Sequence, residues 1–405
     1  MKKGFTLIEL LAVIVLIGAL SVLTIPKIVN TLKESGKSID SASAKGLLSS
    51  AEYKASQNEL KGVSGNTIID FETETNVDVL DYKGEVPEKG KIILKENGQV
   101  DMAIKLGDTC YIKNKLSQEI QEIPYSEETC IVSISFEEDS WNVIKAYLRK
   151  DRNFYEIGSL KEIEIDIDGD ETIDSSESFT VRLSNTSTPE ECDEEGFSQT
   201  ACGVVIEFID EIANRGLNSY DYPNAWSNEG GWPGTEMHTY LNETIYEKLP
   251  EDLKSVIIDT YTVSGHGESD SENLISTDKL YLLSTGEIWN VHGEHAVQSA
   301  YLITSFDTAY YDTRQLDYYE AAGMKHLSIN DCYMLDMTTS NFVYVCEPGE
   351  YNAEVEAARK NTTYGTWWLR TARAGSSTYF RVEGIEPHSD NAVSQFGITP
   401  AFRIL

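Results

Sequence analysis

From Phe5 to Pro26 the chain reads FTLIELLAVIVLIGALSVLTIP, with Glu9 as its single charged residue. As a helix this run rises about 33 Å at about 1.5 Å per residue, the depth of a bilayer core of about 30 Å. Lys2 and Lys3 ahead of it predict a cytoplasmic N-terminus and an exported remainder. The run is too long for the core of a secretory signal, and no A-x-A cleavage pattern follows it. A plain anchor would leave Glu9 unexplained, because an unpaired carboxylate in lipid is costly and intramembrane acids are usually functional.

The stretch Lys2-Lys3-Gly4-Phe5-Thr6-Leu7-Ile8-Glu9-Leu10-Leu11 accounts for the exception. It resembles the prepilin motif of type IV pilins and of the pseudopilins of type II secretion systems. The shared features are Gly before Phe, Glu five residues into the mature chain, and an apolar helix carrying Pro26. The resemblance implies cleavage between Gly4 and Phe5 by a membrane-embedded prepilin peptidase. It also implies N-methylation of the Phe5 amine and pairing of Glu9 with that amine on a neighbouring subunit. Such a buried pair would act as an assembly register. The expected divisions are a leader at 1–4, a transmembrane and assembly helix at 5–29, a pilin-like globular domain at 30–130 and a C-terminal domain at 131–405. Pro26 is expected to kink or end the helix where it leaves the bilayer.

Residues 27–60 continue with helical spacing at Ile28, Leu32, Ile39, Leu47, Leu48, Ala51 and Ala55, weakened at Ser35-Gly36. Asn97-Gly98 between Lys91–Lys95 and Val100–Ile104 predicts a hairpin, with a third strand over Thr109–Ile112. A long helix followed by an antiparallel meander is similar to a pilin globular domain. The six cysteines, Cys110, Cys130, Cys192, Cys202, Cys332 and Cys346, lie outside the apolar run. An even count in an exported chain favours disulfides, for which sequential pairing is one of several connectivities.

Charge separates the chain further. Residues 1–60 carry a net +2, so the rest must hold −36 of the total −34. So acidic a body argues against nucleic-acid binding, which requires a basic face. Past residue 130 lie all six Trp and 18 of the 22 Tyr, placing a boundary near 131–138. Ser140 precedes a short amphipathic helix over 141–148; Lys161–Ile167 and Ser178–Leu183 alternate as paired strands around an acidic turn. Two short helices parted at Pro250 follow, then a buried strand over Lys279–Ser284 and two closing strands bracketing a polar loop.

Gly231-Trp232, Met237, Leu241-Asn242, Leu249-Pro250, Asp252-Leu253, Leu280–Ser284, Trp367–Arg370 and Gly397–Ile404 occur in an order that resembles an uncharacterised domain of bacterial surface proteins. The endings W-W-L-R and G-x-x-P-A-F-R-I are similar to the closing strands of C-type-lectin-like and formylglycine-generating-enzyme-like folds. The fold class expected for the whole is α+β: a long N-terminal transmembrane helix packed on a small antiparallel pilin-type sheet, then a larger mixed α+β lectin-like domain.

Two sets of residues are candidate sites. Asp166, Asp168, Asp170, Asp174 and Glu177 fall at positions 1, 3, 5, 9 and 12 of a calcium-loop count, although Glu171 stands where glycine is wanted. Their alternative role is a solvated acidic hairpin tip. Tyr379, Arg381, His388 and Asn391 lie in a loop rich in Ser, Gly and Asp, a composition typical of binding surfaces; the alternative is an ordinary polar loop with a strand through Tyr379-Phe380-Arg381-Val382. His292-Gly293-Glu294-His295 lacks the spacing and third ligand of a metal site, and no nucleophile motif appears, so no enzyme is expected. The functional expectation is a pilin-like subunit, minor in copy number. It is a single-pass membrane protein before assembly, then displays an extracellular binding domain for adhesion to an unknown surface ligand. Its expected partners are prepilin peptidase and other pilin subunits, with no nucleic acid and with calcium as the one candidate cofactor. The alternative is a pseudopilin of a secretion or DNA-uptake filament.

Overall fold

The computed structural model describes residues 7–170, 172–174, 176–289, 298–299, 302–303, 313–324, 332–336, 343–346, 354, 357–374, 376–383 and 386–405, some by backbone alone. It divides into two compact units, Met1–Ile134 and Ser135–Leu405. The whole is mixed α+β, with sheets that are antiparallel but for one strand pair.

In the first unit, helix α1 (Leu7–Leu60) runs without interruption through Pro26 and through Ser35-Gly36. Pro26 therefore does not end the helix, and Ser35-Gly36 does not break it. One glycine costs about 1 kcal/mol relative to alanine, too little to break a long helix, and Gly36 has open space around it. Among the described residues no helix is long and apolar enough to cross a membrane. Leu7, Leu11 and Val13–Ile17 are exposed, while the side chains at 8–10, 12 and 18–26, Glu9 included, lie outside the described residues. Gly4 and Phe5 also lie outside them.

Further along, α1 buries Ala44, Leu47, Ala51 and Ala55, which follow one another at helical spacing. Three of these four are alanines, so the helix backbone can approach the sheet closely. That sheet is a meander of β1 (Thr67–Asp70), β2 (Lys89–Leu94), β3 (Val100–Leu106), β4 (Thr109–Asn114) and β5 (Ser117–Pro124), each antiparallel to the next. Period-two alternation divides its side chains. Ile92, Leu94, Met102, Ile104 and Tyr111 face the helix, while Ile93, Ala103, Cys110 and Ile112 pack with Val132. The Cys110–Cys130 disulfide fixes the latter layer. Gly90, at φ 109°, is required where it stands: a Cβ there would lie 2.2 Å from the Ala103 carbonyl.

The second unit opens with α2 (Trp141–Lys150), whose buried residues Trp141, Ile144, Tyr147 and Leu148 recur at helical spacing. β6 (Leu160–Glu164), β7 (Ser178–Asn185) and β8 (Val204–Phe208) follow, then β9 (Ala213–Arg215). α3 (Glu236–Thr239) continues through a π-helical stretch, Tyr240–Ile245, into α4 (Tyr246–Lys248), and α5 (Glu251–Lys254) starts after Pro250. Next come the pair β10 (Thr260–Ser264) and β11 (Leu274–Asp278), helix α6 (Thr285–Trp289), the short pair β12 (Gln298–Ser299) and β13 (Leu302–Ile303), and helix α7 (Asp317–Ala321). β14 (Cys332–Asp336) and β15 (Val343–Cys346) pair so that Cys332 stands opposite Cys346. The side chains of those two cysteines lie outside the described residues, whereas Cys192 and Cys202 are joined in a disulfide.

The closing strands are β16 (Thr366–Ala372), β17 (Tyr379–Glu383), β18 (Glu386–Asp390), β19 (Phe396–Ile398) and β20 (Ala401–Ile404). They build two sheets, ordered β18-β17-β16-β19-β9 and β20-β8-β7-β6. The chain therefore crosses from one sheet to the other at Thr399-Pro400, and β19 lies parallel to β16. Lys279–Ser284 departs from the expected strand. Leu280–Leu283 are buried, but their polar groups bond to scattered partners instead of one ladder. The Asn242 side chain takes the amides of Lys279 and Leu280, and Tyr281 bridges Ala401.

Buried carboxylates tie these segments together. Glu207 on β8, fully buried, accepts from Arg182 (2.8 Å), Lys360 (2.8 Å), Tyr319 (2.9 Å) and Ser184 (2.5 Å). Burial pushes its carboxyl upward, but the charges of Lys360 and Arg182 and their hydrogen bonds prevail and hold it down at about 2. A carboxylate with a depressed folded pKa stabilises the fold above its unfolded pKa, and that contribution fades as pH falls toward the folded value. Glu207→Gln is expected to cost about 3–5 kcal/mol, because it leaves two buried cations without their anion. Urea melts should show this loss at pH 7 and a smaller difference from the parent at pH 3. An equal difference at both pH values would contradict the assignment.

Candidate functional site

The acidic turn joins β6 to β7, and its shape follows from short polar side chains bonding to the backbone just ahead of them. Asp166 accepts from Gly169 N (2.5 Å), Asp168 from Asp170 N (3.0 Å), Asp170 from Thr172 N (2.8 Å) and Asp174 from Ser176 N (2.7 Å). Hydrogen bonds from Thr172 and Ser176 lower the Asp170 and Asp174 carboxyls below their ordinary value. Glu177, 5% exposed, closes the turn: Oε1 takes the amides of Ile167 (2.7 Å) and Asp168 (3.2 Å), and Oε2 takes that of Asp174 (3.2 Å).

Three of the five acids converge. Asp166, Asp168 and Glu177 each bring an oxygen within 4.8 Å of the others, a hard-oxygen set suited to a divalent cation. Asp170 and Asp174 are not part of this group and serve their own turns. Glu177 would have to release amide bonds to act as a bidentate ligand. Glu171 lies outside the described residues. Beside the turn is a cleft of about 270 Å³, lined by Asp168, Asp174, Glu177, Phe179, Glu211 and Asn214 among others.

The second candidate group resolves differently. Tyr379 is 1% exposed and donates its hydroxyl to Gly231 O (2.9 Å), so it anchors the core and does not face a ligand. Burial drives its phenol well above the ordinary value. Arg381 is engaged by Glu383 (2.7 Å), lies near Asp390 (3.7 Å) and covers the Phe396 ring at 4.5 Å. Tyr379 and Arg381, two residues apart, share one face of β17, where Tyr379 is buried and Arg381 is spent on its neighbours. His388 stands opposite Arg381 on β18, with its ring 4.0 Å from Glu383, and Asn391 follows the strand with its amide on Asp390 (2.8 Å). Both are half-buried. The His292-Gly293-Glu294-His295 stretch lies outside the described residues.

The loop 219–231, to which Tyr379 is tied, carries the surface that sequence reasoning missed. Its anchor is Asn228, fully buried. Its Nδ2 donates to the carbonyls of Arg373 (2.8 Å), Ser376 (2.9 Å) and Thr378 (2.8 Å), and its Oδ1 accepts from Glu268 N (3.0 Å). Tyr220 and Trp226 emerge from this loop 67% and 57% exposed, with ring centroids 5.6 Å apart. The readable signal is two large aromatics among Pro223, Asn224, Ser227, Asn228 and Gly230, a turn-forming composition.

Compared with known proteins, residues 206–405 match the family described as a domain of unknown function (DUF6273). Residues 1–25 match the prokaryotic N-terminal methylation motif. No curated protein and no solved structure matches the chain. The N-terminal match supports a prepilin-processed protein of the type IV pilin or pseudopilin kind, and implies handling by prepilin peptidase and assembly with other pilins.

Asn228→Ala should detach the loop from the 373–378 turn. A loss of about 1–3 kcal/mol is expected for orphaned buried groups, together with faster proteolytic cutting within 219–231. Unchanged melting and cutting would show that the anchor is dispensable.

Proposed function

We propose that the chain is a low-copy, pilin-like subunit, anchored in the membrane before assembly, that presents its second unit as an extracellular binding head. The methylation-motif match at residues 1–25 carries this reading. Gly4 and Phe5 flank the cut, and Glu9 pairs with the Phe5 amine of a neighbouring subunit. The disulfides Cys110–Cys130 and Cys192–Cys202 suit an oxidising, extracellular setting. The size of Ser135–Leu405 favours display at a tip or at low density over a place in every repeat of a packed shaft. In this reading the head binds and does not catalyse, and its fold is lectin-like. A pseudopilin shares the same motif; its head would contact only other filament components.

Gly4→Arg should abolish processing, seen as retention of the full-length chain on a gel and of Met1 by mass spectrometry. Glu9→Ala should leave membrane insertion intact and reduce recovery in sheared filaments at least tenfold. Normal processing in the first variant, or normal incorporation in the second, would sink the prepilin reading. Saturable binding of the full chain to cells supports display, whereas binding confined to other filament subunits supports the pseudopilin.

The acidic turn enters the same proposal as a calcium site. Millimolar calcium should raise the melting temperature of the full chain by several degrees in detergent, and Asp166→Asn with Asp168→Asn should remove the shift. Equal melting with and without calcium would assign the turn to a solvated hairpin tip.

A further inference from the structure

Tryptophan burial in the second unit is nearly uniform, with one exception. Trp232 and Trp368 are 0% exposed, Trp141 and Trp367 2%, and Trp289 4%, whereas Trp226 is 57% exposed. Its neighbour Tyr220 is 67% exposed. Two large rings left in water forgo the burial that usually places them inside, so their position calls for a reason.

Looseness is not that reason, because the loop is a run of closed turns. Tyr222 N bonds Ser219 O (3.1 Å), Ala225 N bonds Tyr222 O (3.0 Å) and Ser227 N bonds Asn224 O (2.8 Å). Gly231 N bonds Asn228 O (3.1 Å). Asn224 takes the left-handed conformation that such turns need, at φ 59°. Asn228 clamps the end of the run to the 373–378 turn and to Glu268. The rings are therefore held out by a rigid frame, which lowers the entropic cost of using them for binding.

We infer that Tyr220 and Trp226 form a stacking platform for a pyranose ring of an uncharged oligosaccharide. The inference rests on the reading of the second unit as an extracellular binding head. Two observations select this class of ligand. The ring centroids are 5.6 Å apart and inclined by 61°, so the rings touch each other and leave no slot between them. A quaternary ammonium or methylated lysine needs such a slot, lined by facing rings. The same loop carries the exposed Asp221, Asn224 and Glu229. They supply hydrogen-bonding groups within the loop that carries the rings, and two rings alone fall short of the ~800 Å² per partner of a standard protein interface. A pyranose offers one apolar C–H face of about the size of an aromatic ring and a rim of hydroxyl donors. That is the complement of an exposed aromatic ring in a loop that also carries carboxylate and amide oxygens.

The test uses the full chain in detergent with cellotetraose, chitotetraose and mannotetraose as probes, and choline chloride as the cationic control. Saturation-transfer NMR should show contact at the ring C–H protons of at least one tetrasaccharide. Acrylamide quenching of tryptophan fluorescence should fall as that sugar saturates the chain. Trp226→Ala should weaken binding at least tenfold and Tyr220→Ala several-fold, with the melting temperature unchanged because both side chains are exposed. Contact with none of the three sugars, protection by choline instead, or undiminished binding in W226A would overturn the platform. Cell binding that survives in W226A while no sugar binds overturns the platform and leaves the display reading standing. Sugar binding without any cell binding supports the platform and removes display.

Discussion

The second unit depends on carboxylates kept out of water and matched to specific donors. Glu207, Asp278 and Glu287 are each 0% exposed in a chain with 67 acids. Each collects groups from distant parts of the sequence. Glu207 gathers β7, α7, Lys360 and its own strand β8. Glu287 on α6 meets Arg370 of β16 in a two-bond fork (2.7 and 2.5 Å) and also engages Thr200 and the Ser284 amide. Asp278 accepts from Trp232 Nε1 (3.0 Å) and lies 2.9 Å from His238 Nε2. A buried acid that loses one partner becomes an uncompensated charge, so these contacts specify which segments meet. Long, irregular connections can then be tolerated, because a few polar centres fix where the chain returns.

The same centres explain the sequence blocks that stood out. Trp232 supplies a donor to Asp278, Asn242 holds the 279–280 amides, and Arg370 completes the W-W-L-R run by binding Glu287 and Leu282 O (2.8 Å). Gly397 stands where a Cβ would meet Glu211 and Thr362 at 2.8 Å, and Pro400 offers its carbonyl to Phe208 at the crossing between sheets. The blocks are internal wiring. A pattern that identifies this kind of domain therefore marks how it holds together, and leaves its outward chemistry to the loops.

Legibility followed the range of the interactions. Local signals were readable: Asn97-Gly98 produced the β2–β3 turn, the alternation of KEIEIDI produced β6, and the apolar spacing over 141–148 produced α2. Helix α1 was readable as a helix, but its passage through Pro26 and Gly36 was not, because breaker residues act against the cooperativity of the whole element. Lys279–Ser284 looked like a strand because apolar runs do not disclose whether a ladder partner or a side chain such as Asn242 will satisfy the backbone. Tyr379 has the type and neighbours of a binding residue; that its face of β17 is the covered one depends on the distant loop at Gly231, which no single sequence displays. In the acidic turn, spacing indicated the acids, but only folding shows that Glu177 spends its oxygens on amides.

Surface and interior in the head thus use aromatic residues in opposite ways. Inside, Trp141, Phe402, Phe208 and Phe179 pack edge to face in a chain of contacts at 6.0–6.3 Å that fills the β20-β8-β7-β6 layer. Outside, Tyr220 and Trp226 make the same kind of edge-to-face contact while staying 67% and 57% exposed. Charge permits the difference. A body with a net −36 past residue 60 repels copies of itself, so an exposed aromatic pair is less exposed to self-association than it would be on a neutral protein. The acidity that argues against nucleic acid in the sequence also lets aromatic surface remain available in water on the folded second unit.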